Sequence, residues 1–510
     1  MPCRAGWVRG TLAAGCLTLG LVLTAACSQP DVSSGASSTT SSATTTPANV
    51  YEEQRSAGVR TTLAELGEAI TAGDRDRVHE LIDPAASPEF RRRLDVAVAN
   101  LARRGAITDT SSADTSSADT SAADPTTDTT DSAASPPPGR SRPGGSSSET
   151  TAPAPPRGTV LRLKELRYEP APTEEAETLV PAELQTQLDG QGSSDSWVAP
   201  IELHYALGGS STPGIDEPEV VVDTQFVMAR YGDSWKVVGD ASAIDGTGAP
   251  TQLWELPGLA ADDVRTAGGT SVIASYPGTA ALVDRVRRLL PAAVDRVSAF
   301  WGDDWPRRAV VVATDTPKGF GDLAQSASDI SAAAAATTFT RIDTEAGEAI
   351  GQRVVLTPSA AQLPEPALAV VLRHELTHVA ARVKTSPGAP LWITEGVPEY
   401  VGRKGTYTRL QDAAPDLASA VRSGDRPTAL PTDRDFAIDA QQSQVAYQSA
   451  WSVAAFVADR FGEEKLTKLY MGVAGTDDIR RQDVAISGVL GMSRADLVAA
   501  WGRWLSAQVR

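Results

Sequence analysis

Four histidines occur in the 510 residues of the chain, and two of them, His374 and His378, bracket Glu375 in the run Val371-Leu372-Arg373-His374-Glu375-Leu376-Thr377-His378-Val379-Ala380. Positions four apart share one face of a helix, so two imidazoles at this spacing can grip a single zinc ion. Glu375, beside the first of them, comes within reach of a water on such an ion and has the chemistry of a general base. A catalytic zinc takes a third protein ligand and keeps one position open. The next acidic residues are Glu395 and Glu399, separated from His378 by sixteen and twenty residues. Spacing alone leaves the choice between them open.

The elements that must position these groups are legible around them. Pro364 and Pro366 mark a helix start, because proline is tolerated where the first N–H groups have no partner. Ala367 to Leu372 is almost unbroken apolar sequence, continued by Leu376, Val379, Ala380 and Val383, the pattern of a helix buried nearly all round. Arg353 to Thr357 reads as a strand just before it. The segment from Ser331 through five alanines, and on to Gly351, reads as a loop or flap. Downstream, helices are expected near 393–402, 408–423, 443–461, 463–471 and 493–507. Pro398 confines the first of these to a start near Thr394, with the proline in its first turn.

The HELTH motif together with Leu391-Trp392-Ile393-Thr394-Glu395-Gly396 resembles the gluzincin metallopeptidases, in particular the peptidase MA-like group. The resemblance covers about 265–510. It implies zinc, one ion per chain, with Glu395 as third ligand beside His374 and His378, and a mostly helical zincin-like domain with a small sheet. Glu399, one turn on, then becomes a carboxylate that orients a ligand. Tyr447-Gln-Ser-Ala-Trp-Ser-Val-Ala-Ala-Phe456 with Arg460-Phe-Gly-Glu463 resembles the family's next helix and corner, which makes Tyr447 a candidate donor to a transition-state oxyanion. In related enzymes the strand before the motif helix binds extended substrate by adding a strand, which assigns that role to Arg353–Thr357.

All three cysteines, Cys3, Cys16 and Cys27, precede residue 28. Arg4 and Arg9 followed by the apolar stretch Thr11–Ala26 read as a secretory signal over 1–26, too short for a lasting span. Its end, Leu23-Thr24-Ala25-Ala26-Cys27, resembles a bacterial lipobox, so Cys27 is expected to carry lipid, and residues 27–50 form a flexible tether. Formal net charge is −18 with no basic cluster, which excludes nucleic acid as an expected partner.

The remainder reads as an α+β unit over 51–106 and 159–245. Leu63, Leu66 and Ile70, then Val78, Leu81 and Ile82, then Phe90, Leu94, Val98 and Leu101 recur at helical spacing. Ile201, Leu203, Tyr205 and Leu207 alternate with Glu202, His204 and Ala206, which puts His204 on the solvent face of a strand. His79 is expected as a solvated helix residue. Residues 107–158, repetitive and without aromatics, are expected to be disordered. Helices followed by a curved sheet with a Gly-Asp-x-Trp hairpin resemble the nuclear-transport-factor-two-like cone fold. A metallopeptidase-like domain follows over 262–510.

The expectation is therefore an α+β zinc peptidase, anchored by lipid to the outer face of the cytoplasmic membrane and acting on peptides or proteins. Two alternatives remain open: an inactive surface lipoprotein whose cone-like part binds a ligand or partner, and a zinc amidase acting on cell-wall components.

Overall fold

The computed structural model describes residues 17–18, 50–102, 159–171, 178–246, 250–324, 333–437 and 440–509. Cys27, the tether and the 107–158 insertion lie outside these residues. The chain is α+β, with a curled-sheet N-terminal part and a helical C-terminal region.

Helices α1 (Val50–Ala72), α2 (Arg75–Leu81) and α3 (Pro88–Leu101) come first. The starts of α2 and α3 are fixed locally, since Asp74 and Ser87 accept the N–H groups of Arg77 and Phe90. They pack on an antiparallel sheet in the order β1 (Arg162–Pro170), β2 (Asp195–Gly209), β3 (Val220–Tyr231), β4 (Ser234–Asp240). The stripe Leu63, Leu66, Leu94 and Leu101 meets Leu203, Tyr205 and Leu207 from the sheet, as the periodicities require.

Helix α4 (Ala182–Gly190) packs through Leu188 against Val198, Val227 and Val238 on the face of the first sheet opposite to α1–α3. A second sheet follows. Strands β5 (Ala260–Thr266) and β6 (Gly269–Ser275) form a hairpin, and helix α5 (Ala280–Trp301) crosses from β6 to the parallel β7 (Val310–Ala313). The α5 stripe Val283, Val286, Leu290, Val294 and Val297 is wholly buried. Strands β8 (Ala333–Thr338) and β9 (Arg353–Leu356) complete the sheet in the order β8-β9-β7-β6-β5, and Leu17–Thr18 lies along the outer edge of β8. Val311, Ala313, Val354 and Leu356 face the helices, whereas Val310, Val312 and Val355 face the N-terminal part. Both faces are covered, which is why β7 and Val354–Leu356 of β9 read as unbroken apolar runs.

Two expectations need correction here. The alanine run is a strand from Ala333, not a loop. Ala334, Ala335 and Ala336 are buried, and pairing with β9 supplies the order that side-chain alternation does not announce. His204 is not a solvent-facing residue: only 8% of it is exposed, because Arg167, Glu202 and Glu219 close over its face of the sheet.

Helix α6 (Pro317–Ala324) follows β7, and the C-terminal helices that matter for the site are α7 (Glu365–Ala381), α8 (Leu391–Thr394), α9 (Gly396–Arg403), α10 (Ala440–Phe461) and α11 (Glu463–Ala474). The expected 408–423 helix divides into Leu410–Ala413 and Pro415–Arg422, where the proline withholds an N–H. A further helix, Ile479–Leu490, was not anticipated by the periodicity. Among the described residues no single helix is long and apolar enough to cross a membrane.

Candidate metal centre

Helix α7 runs through the core with thirteen buried residues, and His374 and Glu375 are each only 1% exposed. Arg373 fixes its position against α9. Its Nε donates to the Ala369 carbonyl, Nη1 to the Lys404 carbonyl and Nη2 to Thr406 Oγ1, at 2.9, 3.1 and 2.7 Å. The two helices also approach closely at Gly402, where a Cβ would stand 2.9 Å from the Val370 carbonyl and 3.4 Å from His374 Cβ. Glycine is required there by distance alone.

Glu395 sits at the break between α8 and α9. The chain does not begin a helix near Thr394; it makes one turn from Leu391, pauses at Glu395 and restarts at Gly396, with Pro398 in the first turn of α9. Leu391 N–H is held by Asp433 Oδ1 at 2.8 Å. Gly396 lets this corner press onto α10, where a Cβ would meet the Ala450 carbonyl at 2.5 Å. The break turns the Glu395 carboxylate onto α7.

Three ligand atoms converge as a result. His374 Nε2 and His378 Nε2 lie 3.0 Å apart, and Glu395 Oε2 lies 3.3 Å from the first and 3.5 Å from the second. A tetrahedral zinc with bonds of ~2.1 Å separates its ligand atoms by ~3.4 Å. Two imidazoles and one carboxylate are also the donor types such an ion accepts. These three form a metal-competent cluster among the described residues. The side chain of His378, 14% exposed, is the open side; those of His374 and Glu395 are 1% and 2% exposed.

Glu399 stands behind His374, fully buried, with Oε1 3.4 Å from His374 Nδ1 and Oε2 2.5 Å from both Nε and Nη2 of Arg403. A carboxylate behind a ligating histidine fixes the ring's orientation and tautomer. Arg403 follows Glu399 at helical i,i+4 spacing, a signal present in the sequence but not used above. Burial alone would keep Glu395 protonated, yet His378 and His374 hold its carboxyl at about 2. Burial likewise opposes a charged His374, but hydrogen bonds to Glu395 and Glu399 lift the imidazole to about 10. Arg403 and His374 similarly outweigh burial and lower Glu399.

Glu375 is placed differently. Its Oε2 accepts a hydrogen bond from Thr337 Oγ1 at 2.7 Å, and its Oε1 is buried with no partner among the described residues. An orphaned carboxylate oxygen beside the three-ligand cluster can accept a hydrogen bond from a water or substrate group there. Thr337, at the end of β8, was missed because its segment was expected to be a loop.

Tyr447 is buried on α10 in a small cluster with Phe436, Ala446, Ala450 and Leu391, its ring edge-on to Phe436 at 5.0 Å. Leu391 lies one turn before Glu395, so the cluster adjoins the site. Strand β9 cannot take an added strand, because β8 and β7 already pair with its two edges. Among the described residues, the outer edge of β8 carries only Leu17–Thr18. His79 is half exposed on α2, with Nε2 2.8 Å from Asp95 Oδ1.

No protein family model and no curated protein matches the chain. Among solved structures, a two-domain M1 zinc metallopeptidase bound to L-arginine is similar with TM-score 0.27 and 12% identity, over 49% of this chain and 51% of that one. An M1 zinc metallopeptidase from Deinococcus radiodurans is similar with TM-score 0.29 and 12% identity, over 56% of this chain and 57% of that one. The chain spans about half the length of these solved chains.

Proposed function

We propose that the chain is a zinc-dependent peptidase, held by a lipid on Cys27 at the outer face of the cytoplasmic membrane and acting on peptides or proteins there. The convergence of His374 Nε2, His378 Nε2 and Glu395 Oε2 at tetrahedral ligand separations carries this reading. These three residues would hold one zinc ion, with Glu399 and Arg403 fixing the His374 ring. A bound zinc supplies Lewis-acid polarisation of a scissile carbonyl and a lowered pKa for a bound water.

The chain's own groups do the rest. Glu375, oriented by Thr337, takes a proton from the attacking water at Oε1 and returns it to the leaving amine. The depth of His374 and Glu375 keeps bulk water from competing for these groups. Tyr447, whose cluster includes Leu391 one turn before Glu395, is the candidate donor to the oxyanion. The outer edge of β8, not β9, is the place for extended substrate to add a strand, since β8 ends at Thr337 and Thr338 beside Glu375. Removal of residues 1–26 as a signal would leave that edge open.

An unpartnered Glu375 Oε1 also weighs against the inactive reading, because a retired scaffold has no use for a buried free carboxylate oxygen. Elemental analysis with cleavage assays on unfolded protein tests the proposal. One zinc per chain is expected in wild type and in Glu375→Gln, and none in His378→Ala. Turnover should fall by ~10²–10⁴ in Glu375→Gln and vanish in His378→Ala. A wild-type chain without zinc overturns the proposal, and zinc without peptide cleavage shifts it to the amidase.

A further inference from the structure

Resting on the peptidase reading, we infer that Arg382, stacked on Phe339, forms a subsite that recognises a carboxylate of the substrate next to the scissile bond. His374, His378 and Arg382 follow one another at steps of four, so Arg382 continues the ligand stripe of α7. It lies one turn, ~6 Å along the axis, beyond His378. Its guanidinium carbon sits 4.6 Å from the centre of the Phe339 ring. Phe339 directly follows β8, two residues after the Thr337 that holds Glu375. The same short stretch of chain therefore touches the proposed base and the arginine.

The environment of Arg382 is unusual for a structural arginine. No carboxylate pairs with it and no acceptor takes its N–H groups among the described residues, and its Nε is buried without a partner. The two other arginines around the site elements are already engaged: Arg373 bonds two carbonyls and a threonine, and Arg403 bonds Glu399. Burial pushes the pKa of Arg382 down from its ordinary value, with the charges of Tyr470, Glu395 and Glu375 working the other way. The group stays charged, because arginine does not deprotonate in proteins. A desolvated cation with open N–H groups is costly unless an anion arrives to meet it.

Charge balance points the same way. The groups facing Arg382 are Glu375, Glu395 and Tyr470. With a divalent cation in the cluster, Glu375 and Glu395 are balanced and the charge of Arg382 is left over for the substrate. Residues of an extended peptide advance ~3.3–3.6 Å each, so a carboxylate one or two positions from the scissile bond spans the distance. A guanidinium with its plane set by an aromatic ring binds carboxylate in a forked geometry. The carboxylate has two sources, an Asp or Glu side chain or a free C-terminus.

The test uses the zinc-loaded Glu375→Gln chain, whose turnover is lowered enough for binding to be read first, and labelled peptides read by fluorescence anisotropy. One series moves a single Asp, against Asn, through successive positions; the other compares free with amidated C-termini. Binding at least about tenfold tighter is expected for Asp at one position, or for the free terminus, and the arm that responds names the source. Arg382→Met, which keeps the stem on Phe339, should erase the preference at unchanged Tm and zinc content, and Arg382→Lys should keep part of it. A parent without preference, or a preference that survives in Arg382→Met, overturns the subsite. A parent that takes up no zinc and binds no peptide overturns the peptidase reading and the subsite with it.

Discussion

His204 and His374 are both more than nine-tenths buried, and each faces two glutamates, yet only one of them belongs to a place where an ion could sit. At His204 the two ring nitrogens point to different carboxylates, Nε2 to Glu202 and Nδ1 to Glu219, each at 3.1 Å. Arg167 then bridges Glu165, Glu169 and Glu219, so Glu219 turns to the guanidinium as well as to His204 and shares no focus with Glu202. At His374 one nitrogen turns back to Glu399 and the other turns forward, onto the point that His378 and Glu395 share. Composition is nearly the same in the two clusters. Convergence is what separates a ligand set from a closed ion-pair network.

The strongest way to break this comparison is to remove each histidine in turn. His374→Ala should reduce zinc from one per chain to none and abolish cleavage, whereas His204→Ala should leave both unchanged. Inductively coupled plasma analysis of the two purified variants decides it, and zinc lost from His204→Ala would show that convergence is not the discriminating property. A smaller effect sharpens the role of the carboxylate behind His374. Glu399→Gln keeps the shape of the side chain but weakens its hold on Nδ1 and on Arg403, and should lower zinc affinity by ~10–100-fold in chelator competition.

How much of this was readable beforehand follows from which forces act locally. His374, Glu375 and His378 needed only helical spacing, and the helix around them was marked by Pro364, Pro366 and an apolar run. Helices α1 and α3 were equally plain, since Leu63, Leu66 and Ile70, and Phe90, Leu94, Val98 and Leu101, recur at helical spacing and are buried together. Strand β8 was not legible, because an alanine run carries no alternation and its order comes from pairing with β9 and contact with α7. That one misreading hid Thr337 and Phe339. The burial of His204 was hidden for a related reason: alternation reports which face of a strand a residue occupies, and here Arg167, from the neighbouring strand, covers the polar face. Spacing did not choose between Glu395 and Glu399; the family resemblance named Glu395, and the physical reason lies in the break at Glu395, a tertiary feature set by Gly396 against Ala450 and by Asp433 at Leu391.

The smallest expected effect concerns whether the two clusters are independent. A physical route between them exists: Glu217 accepts the Leu207 N–H at 2.9 Å on β2, the strand that carries His204, and it also pairs with the buried Arg353 at the start of β9. Strand β9 pairs with β8, whose Thr337 orients Glu375. If this route transmitted strain, disturbing His204 would alter cleavage. His204→Gln keeps a hydrogen-bonding side chain of similar reach, and Arg167, 38% exposed, remains to hold Glu219 in a partly solvated network. Such networks contribute ~1 kcal/mol or less, so urea unfolding should show a loss of no more than about that amount, with kcat/KM unchanged. A fall in kcat/KM at preserved stability would mean that the Glu217–Arg353 pair couples the curled sheet to the base, and the two clusters would then have to be read as one system.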